Sequence, residues 1–327
     1  MNWKLALALA FALSLMTTAC GGSGSQKLEE VDGVTKIRVG TTGLTVHAPL
    51  YIAEQKGWFE EAGLDVTLEV LSGGAAIIPA MLNGELHFGA SNIPSALLAA
   101  QNGIDLRAVA ANNVSADSVD DVEFLTSAVV APQDGPIDTP ADLQGATIAV
   151  NGLHSVGDLT ISLAMRELGL DPNDVKFIEL GLPEMIGALE AGRVDAAWVV
   201  EPFLGAAKAA GMSPVLYNWV EARPGLPIGA YYATADFATE NAAVVDKFRE
   251  VVDRATVYAA EHPEEVRSIV GMYTKVPEAA ANAMALPVLV TSISRSGVVA
   301  IADEMLERGS LNSAPDYDSI FALIYDE

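Results

Sequence analysis

An alternation of strand-like and helix-like segments, which runs twice along the chain, is the feature that most restricts the fold. Short apolar segments of strand character alternate with segments of helical periodicity over residues 36–111, and the alternation resumes over residues 146–210. Strands that alternate with helices form mainly parallel sheets with helices on both faces. Each half of the chain therefore predicts one α/β lobe.

Two extended segments and a helical C-terminal part complete the prediction. Residues 124–131 and 228–234 have extended character, and we expect them to connect the lobes. After residue 234 the pattern is helical, with one helix expected over residues 278–289, and helices alone cannot add a third sheet. The predicted fold is α/β, with two doubly wound lobes that are joined by two crossover strands and separated by a cleft. We expect lobe I to comprise residues 36–130 and 232–327, and lobe II residues 131–231.

The N-terminus has the pattern of an export signal. A positive charge at Lys4 precedes an apolar run over residues 5–16, which is shorter than the roughly 20 residues that span a bilayer. Cys20, the one cysteine of the chain, follows small residues and precedes glycine and serine. This arrangement resembles a bacterial lipobox, whose cysteine carries a lipid anchor. We therefore predict a signal peptide over residues 1–19 and a lipidated flexible linker over residues 20–35, which places the protein outside the cytoplasm and anchors it to the cell membrane.

Composition and motifs exclude several classes of partner and reaction. The chain has 43 acidic and 18 basic residues and a net charge of −25, which argues against nucleic acid or an anionic membrane surface as a partner. A single cysteine cannot form a disulfide framework. The sequence has no Ser-His-Asp signature, HExxH motif, phosphate-binding loop or CxxC motif, so we expect neither enzyme activity nor a cofactor or metal.

Three ordered stretches resemble one family of binding proteins. They are APLYIAEQKGWFEEAGLDVT at residues 48–67, GELHFGASN at residues 84–92, and residues 180–203 with their segments GRVDA and EPF. Their order and spacing are similar to those of the periplasmic binding proteins for sulfonates, taurine, nitrate and thiamine-pyrimidine precursors, the NMT1/THI5-like family. The resemblance implies a type II periplasmic-binding-protein fold and a monomer whose lobes close on a small solute. It also implies that the permease of an ABC importer receives that solute.

Two other classes of function stay open. Fungal pyrimidine synthases share this fold, but they rely on a cysteine-rich segment that this sequence lacks. A ligand sensor that reports to a membrane receptor would use the same cleft, and the sequence does not separate it from a transport protein.

Candidate ligand-binding residues lie mainly in the loops that follow the predicted strands. In open α/β sheets, ligands bind at the carboxyl ends of strands, next to helix N-termini with unpaired N–H groups. The candidates are Thr41, Thr42, Gly43, His47, Ser72, Gly73, Gly74, Ser91, Asn92, Asn151, Ser155, Glu184, Trp198, Glu201 and Tyr231. Glycines also serve tight turns, and Ser, Asn and Glu also stabilise helix starts. Strand alternation predicts that either Tyr231 or Tyr232 faces the cleft.

The charges in these loops indicate the class of solute. None of the loops carries Lys or Arg, whereas Glu184 and Glu201 are acidic. This balance favours a neutral or cationic aromatic solute that forms hydrogen bonds, such as a pyrimidine precursor of thiamine, which would fit His47, Trp198 and the tyrosines. A histidine at this position resembles the pyrimidine-precursor branch of the family. Helix N-termini can hold anions without cationic side chains, so a sulfonate, taurine or nitrate is the alternative.

Overall fold

Two mixed β-sheets with covering helices make up the computed structural model, which describes residues 28–274, 276 and 278–326. The predicted signal peptide and Cys20 lie outside the described residues. The strands are β1 (Glu29–Val31), β2 (Val34–Thr41), β3 (Leu64–Val70), β4 (Phe88–Asn92), β5 (Leu106–Val114), β6 (Ser127–Pro132), β7 (Thr147–Val150), β8 (Lys176–Glu179), β9 (Ala196–Val200), β10 (Met212–Leu216), β11 (Pro227–Thr234) and β12 (Val288–Leu289). The helices are α1 (Ala48–Gln55), α2 (Trp58–Glu61), α3 (Gly74–Leu82), α4 (Ile93–Gln101), α5 (Val156–Glu167), α6 (Leu182–Glu190), α7 (Phe203–Ala209), α8 (Asn218–Ala222), α9 (Ala235–Glu240), α10 (Ala242–Glu261), α11 (Pro263–Thr274), α12 (Glu278–Ala283), α13 (Arg295–Glu307) and α14 (Tyr317–Phe321). Within the described ranges, no helix combines the length and the apolar character that crossing a membrane requires.

The first sheet combines strands from distant parts of the chain. β2 pairs in parallel with β3 and β4, and antiparallel with β1. β11 lies antiparallel between β4 and β5, and β12 pairs antiparallel with β5. The predicted strands of the first α/β unit are therefore present, but the returning strand β11 separates β4 from β5.

The second sheet comes from one continuous part of the chain. Its order is β10-β6-β9-β7-β8, in which β7 pairs in parallel with β8 and β9, and β6 pairs antiparallel with β9 and β10. Every residue of β9 (AAWVV) is buried, as is typical of a strand with neighbours on both sides. The α/β fold with two sheet-based lobes is thus confirmed, although the sequence did not predict β10 and α8.

The first sheet separates two apolar cores. On one face, α1 and α10 pack over Tyr231, and on the other face α3 and α4 pack on the side of Tyr232. In α10, Val245, Phe248 and Val252 recur every three to four residues and are buried, the spacing of an amphipathic helix. Burial of each such side chain contributes about 1.5–3 kcal/mol of stability.

The expected flexible linker over residues 20–35 is wrong at its C-terminal end. β1 lies inside this range and pairs with the start of β2. The turn between them, Asp32-Gly33, has positive φ at both residues (53° and 82°), the geometry that favours a two-residue hairpin. An ion pair of 2.8 Å joins Glu29 to Lys36 across the hairpin.

Two further expectations about the second half of the chain need correction. The helix expected over residues 278–289 ends at Ala283, and β12 follows it at the edge of the first sheet. The boundary that we expected between residues 231 and 232 falls inside β11, which pairs only with strands of the first sheet. The division of the chain into lobes otherwise stays a prediction.

The C-terminal helices contact both lobes. α10 and α11 pack against α1, as expected for helices that cover the first unit, but α13 packs against both α4 and α5. Arg166 of α5 pairs with Glu304 of α13 at 2.7 Å, and Arg308 pairs with Asp158 of α5 at 3.3 Å. α13 therefore connects α4 of the first unit to α5 of the second.

Candidate functional site

A cavity of about 1020 Å³ opens between the two sheets. Its walls come from residues at the carboxyl ends of β2, β3, β4 and β5 in the first lobe and of β7, β8 and β9 in the second. The site thus lies where the carboxyl ends of strands from both lobes meet, which is the usual place for a ligand in open α/β folds. Its volume is near the upper end of the range of small-molecule pockets, about 300–1,000 Å³.

Most of the residues selected from the sequence lie on the wall of this cleft. Those that do are Thr42, Gly43, His47, Ser72, Gly73, Gly74, Ser91, Asn92, Asn151, Ser155, Glu184, Trp198 and Glu201. Thr41 and Tyr231 are fully buried behind the wall and do not line it. The structure therefore brings together loops from both lobes, while contact of any single residue with a solute stays a prediction.

The tyrosines of β11 point into the two cores and not into the cleft. Tyr231 Oη lies 3.1 Å from His47 Nδ1, and His47 Nε2 lies 2.8 Å from Thr42 Oγ1. Tyr232 points to the opposite core. Alternation along β11 thus holds, but both faces of the strand are covered, so neither ring reaches the cleft. The aromatic ring that lines this side instead is Tyr273, which the sequence analysis did not select.

His47 is a neutral side chain in this setting. The residue is 3% exposed, and burial lowers the pKa of its imidazole to about 3 because no charge partner offsets the lost hydration. Burial also raises the pKa of the Tyr231 phenol, which keeps its proton.

The two lobes touch across the cleft through polar side chains. Asn92 Oδ1 accepts from Ser95 N at 2.8 Å and so caps α4, while Asn92 Nδ2 donates to Ser155 Oγ of the second lobe at 3.1 Å. Gly73 and Asn151 face each other so closely that a Cβ on Gly73 would lie 3.9 Å from Asn151 Nδ2. Asn92 therefore serves as a helix cap and as a contact between the lobes.

Gly74 has a structural reason to be glycine. A Cβ at this position would collide with Ser91 Oγ, which lies beside the start of α3. The first backbone N–H groups of α3 have no side-chain cap, and Gly74 and Ala75 both line the cleft. The glycine therefore lets an uncapped helix N-terminus approach the cleft wall.

The two glutamates of the cleft have different surroundings. Glu201 is buried, and its carboxylate accepts from Gly205 N at 2.9 Å and from Ala285 N at 3.3 Å. Burial raises the pKa of this carboxyl, and the two backbone donors oppose that shift. Glu184 is exposed at the rim. Glu201 thus stabilises the start of α7 and connects it to residue 285.

Trp198 lines the cleft, and its indole N–H is hydrogen-bonded within the protein. Trp198 Nε1 donates to Ser127 Oγ at 2.8 Å, and Ser127 Oγ donates to Asn218 Oδ1 at 3.0 Å. Gly157 of α5 packs against the ring, where a Cβ would lie 2.7 Å from Trp198 Cε3. The ring is therefore held rigidly, and what it offers the cleft is its apolar surface.

Five residues that line the cleft each carry a buried side-chain polar atom that has no hydrogen-bond partner among the described residues. These atoms are Ser91 Oγ, Asn112 Oδ1, Asn113 Nδ2, Asn151 Oδ1 and Trp219 Nε1. The sequence analysis missed Asn112, Asn113 and Trp219. The two asparagines directly follow the apolar part of β5, so the strand-end rule that selected the other loops would have found them had it been applied there.

The fold of this chain is that of the periplasmic binding proteins. The chain belongs to the NMT1/THI5-like family, whose sequence model matches residues 44–266. A putative binding protein of Brucella abortus is 28% identical over 230 residues, 70% of this chain and 68% of the relative. The formylaminopyrimidine-binding protein of Halalkalibacterium halodurans is 29% identical over 193 residues, 59% of this chain and 53% of the relative.

A crystal structure with the same fold is that of the periplasmic aliphatic sulphonate binding protein of Escherichia coli. The two folds superimpose with a TM-score of 0.72 at 17% sequence identity, and the match covers 89% of this chain and 98% of that protein. The predicted family and fold are both confirmed by these comparisons.

Proposed function

We propose that this chain is an extracytoplasmic solute-binding protein, which closes its two lobes on a small molecule and delivers it to an ABC importer. It acts as a monomeric carrier and not as an enzyme. The proposal rests on membership of the NMT1/THI5-like family and on the polar cleft between the lobes. It rests most on one observation: five residues that line that cleft each carry a buried polar atom without a hydrogen-bond partner among the described residues.

Each of these five atoms lowers the stability of the fold unless a ligand or a water molecule forms a hydrogen bond with it. A buried donor or acceptor that lacks a partner costs about 1–3 kcal/mol. The described residues contain nine side chains with such an atom, and five of these line the one cleft between the sheets. A solute that supplies the missing hydrogen bonds is therefore stabilised by groups that the fold already holds in place.

The chemistry of the cleft favours a neutral, hydrogen-bonding heteroaromatic solute of the pyrimidine type. The unpartnered atoms include donors (Asn113 Nδ2 and Trp219 Nε1) and acceptors (Asn112 Oδ1 and Asn151 Oδ1), which match a ring with both acceptor nitrogens and an amino group. In the described part of the wall no Lys or Arg is present. Aromatic side chains at positions 198, 219 and 273 suit a flat ring. The relative that carries the name formylaminopyrimidine-binding protein has a solute of this class.

An anionic sulfonate is the second candidate, and one feature favours it. The N-terminus of α3 has no side-chain cap and reaches the cleft at Gly74 and Ala75. Backbone N–H groups at a helix start can hold an anion without a cationic side chain. The structural relative from Escherichia coli is a sulphonate binding protein.

A thermal-shift and calorimetry panel separates these candidates. Formylaminopyrimidine, taurine, an alkanesulfonate and nitrate are each added to the purified protein. We expect formylaminopyrimidine to stabilise the protein by about 2.7 kcal/mol at a concentration of 100 Kd. Stabilisation by the sulfonates or nitrate alone would overturn the proposed solute class, and no stabilisation by any member would count against both candidates.

A pair of asparagine variants tests the cleft itself. Asn113→Leu removes an unpartnered donor from the wall and should weaken binding by about tenfold, the equivalent of about 1.4 kcal/mol. Asn83→Leu makes the same substitution at an exposed position after α3 and should leave affinity unchanged. Equal affinities of the two variants would show that the solute does not use this wall.

The lipid anchor is part of the same proposal and lies outside the described residues. A lipidated Cys20 would hold the protein at the outer face of the membrane, near a permease. Cys20→Ser should release the protein into the soluble fraction after export, as fractionation and immunoblotting would show. Retention of the variant in the membrane fraction would refute the anchor.

A further inference from the structure

A series of three hydrogen-bonded side chains extends from the core of the first lobe to the wall of the cleft. Tyr231 Oη lies 3.1 Å from His47 Nδ1, and His47 Nε2 lies 2.8 Å from Thr42 Oγ1. Tyr231 is 1% exposed and His47 is 3% exposed, whereas Thr42 is half-buried and lines the cleft. The direction of the hydrogen bonds in the core therefore determines whether the Thr42 hydroxyl accepts from His47 or donates to it.

A neutral imidazole allows two directions. In the first, the Tyr231 phenol donates to Nδ1 and Nε2–H donates to Thr42 Oγ1. In the second, Thr42 donates to Nε2 and Nδ1–H donates to Tyr231 Oη. An imidazolium would donate at both nitrogens, but no carboxylate in the described part of the chain forms an ion pair or hydrogen bond with His47, and burial disfavours its charge.

The buried phenol decides between the two directions. Among the described residues, His47 Nδ1 is the one hydrogen-bond partner of Tyr231 Oη. In the second direction the phenol hydrogen would have no acceptor inside the core, which is strongly disfavoured for a buried donor. In the first direction the Tyr231 hydroxyl hydrogen and the His47 ring hydrogen both have acceptors. The hydroxyl hydrogen of Thr42 then remains available to an acceptor in the cleft.

We propose that Tyr231 and His47 act as positioning residues that make the Thr42 hydroxyl a hydrogen-bond donor to the solute. This proposal rests on the proposed solute-binding function and adds a rule of selection to it. The solute atom next to Thr42 is an acceptor, such as a ring nitrogen or a carbonyl oxygen, and not an amino group. The opposite direction would present only lone pairs at Thr42 and would select a donor.

The tautomer of His47 can be measured without any solute. Long-range ¹H–¹⁵N correlation spectra of the ¹⁵N-histidine-labelled protein at pH 7 identify which imidazole nitrogen carries the proton, and loss of a signal set in His47→Gln assigns it. We expect a neutral ring with Nε2 protonated. A ring protonated at Nδ1, or at both nitrogens, would overturn the proposal whatever the protein binds.

Two variants on β11 test the role of the phenol. Tyr231→Phe removes the donor to Nδ1, so His47 should become a mixture of both tautomers. Tyr232→Phe removes a hydroxyl on the opposite face of the strand that has no described partner, and the His47 spectrum should stay as it is in the wild type. A single Nε2-protonated form that persists in Tyr231→Phe would show that the phenol does not set the direction.

Substitutions of Thr42, the last residue of this hydrogen-bonded series, test the effect of the series on binding. With formylaminopyrimidine as the probe, Thr42→Val should bind about tenfold more weakly, and Thr42→Ser, which keeps the hydroxyl, should retain wild-type affinity. Unchanged affinity in Thr42→Val would overturn donation to this probe. If the wild type does not bind the probe, the proposed solute class fails, while the spectra still decide the direction of the hydrogen bonds.

Discussion

Tyr231 and Tyr232 are neighbours on β11, and removal of their hydroxyl groups should have different effects on stability. Both side chains are fully buried, on opposite faces of the first sheet. Tyr231 Oη bonds to His47 Nδ1, whereas Tyr232 Oη has no partner among the described residues. Tyr231→Phe leaves a buried imidazole nitrogen unpaired and should cost about 1–3 kcal/mol. Tyr232→Phe breaks no hydrogen bond and removes a desolvated hydroxyl, so its effect should lie between zero and a gain of about 1 kcal/mol.

Urea unfolding, followed by tryptophan fluorescence, measures both effects against the wild type. We expect the midpoint of Tyr231→Phe to fall and that of Tyr232→Phe to stay or rise, with the slope of the transition unchanged in both. The two substitutions remove the same atom from the same strand, so differences in propensity or in ring volume cancel. Equal destabilisation by the two variants would refute the reasoning, because it would mean that the Tyr232 hydroxyl also has a partner.

Two further predictions concern the pH dependence of stability and the packing of Gly157 against Trp198. Burial lowers the pKa of His47 to about 3 and that of His87 to about 4, so below pH 6.5 the unfolded chain takes up these protons first. The contribution of these two histidines to the free energy of unfolding should therefore be largest above pH 6.5 and should fall, as the pH falls, by at most about 1.4 kcal/mol per pH unit for each of the two. His47→Gln should remove one such contribution, and an identical pH profile would contradict the shift. Gly157→Ala places a Cβ 2.7 Å from Trp198 Cε3 and should cost about 1–3 kcal/mol, while Gly187→Ala, which meets open space in α6, should gain up to about 1 kcal/mol. Denaturation midpoints that move in the same direction would argue against this account of the packing at Trp198.

Much of the fold follows from the period of the apolar residues. The strand and helix patterns of both lobes are local, and the structure contains alternating strands and helices over both predicted ranges, residues 36–111 and 146–210. Short elements with weak patterns were not predicted, because a two-residue strand such as Val288–Leu289 is too short to show a period in its apolar residues. The hairpin turn at Asp32-Gly33 did have a sequence signal, a two-residue Asp-Gly turn, but it lies in a polar stretch that otherwise resembles a linker.

The outline of the cleft was predictable, whereas its detailed chemistry was not. Strand-end loops gave the correct wall because topology brings the carboxyl ends of strands together. Which atoms are already satisfied depends on partners far along the chain, such as Ser127 for Trp198 and residue 285 for Glu201. Tyr231 and His47 are 184 residues apart, and no periodicity relates them. The burial of both faces of β11 likewise depends on helices that are distant in sequence, α1 and α10 on one face and α3 and α4 on the other.

The position of β11 has a consequence for the order in which the chain folds during synthesis. β11 is an interior strand of the first sheet, between β4 and β5, yet it is made after the whole of the second sheet. Because the chain is synthesised from the N-terminus, β4 and β5 cannot pair with β11 until residue 234 has been made. The second sheet, which lies within residues 127–216, has all of its strands earlier. The first sheet is thus the last of the two that can be completed, and until then β4 and β5 have strand edges without their shared partner, which exposes them to aggregation.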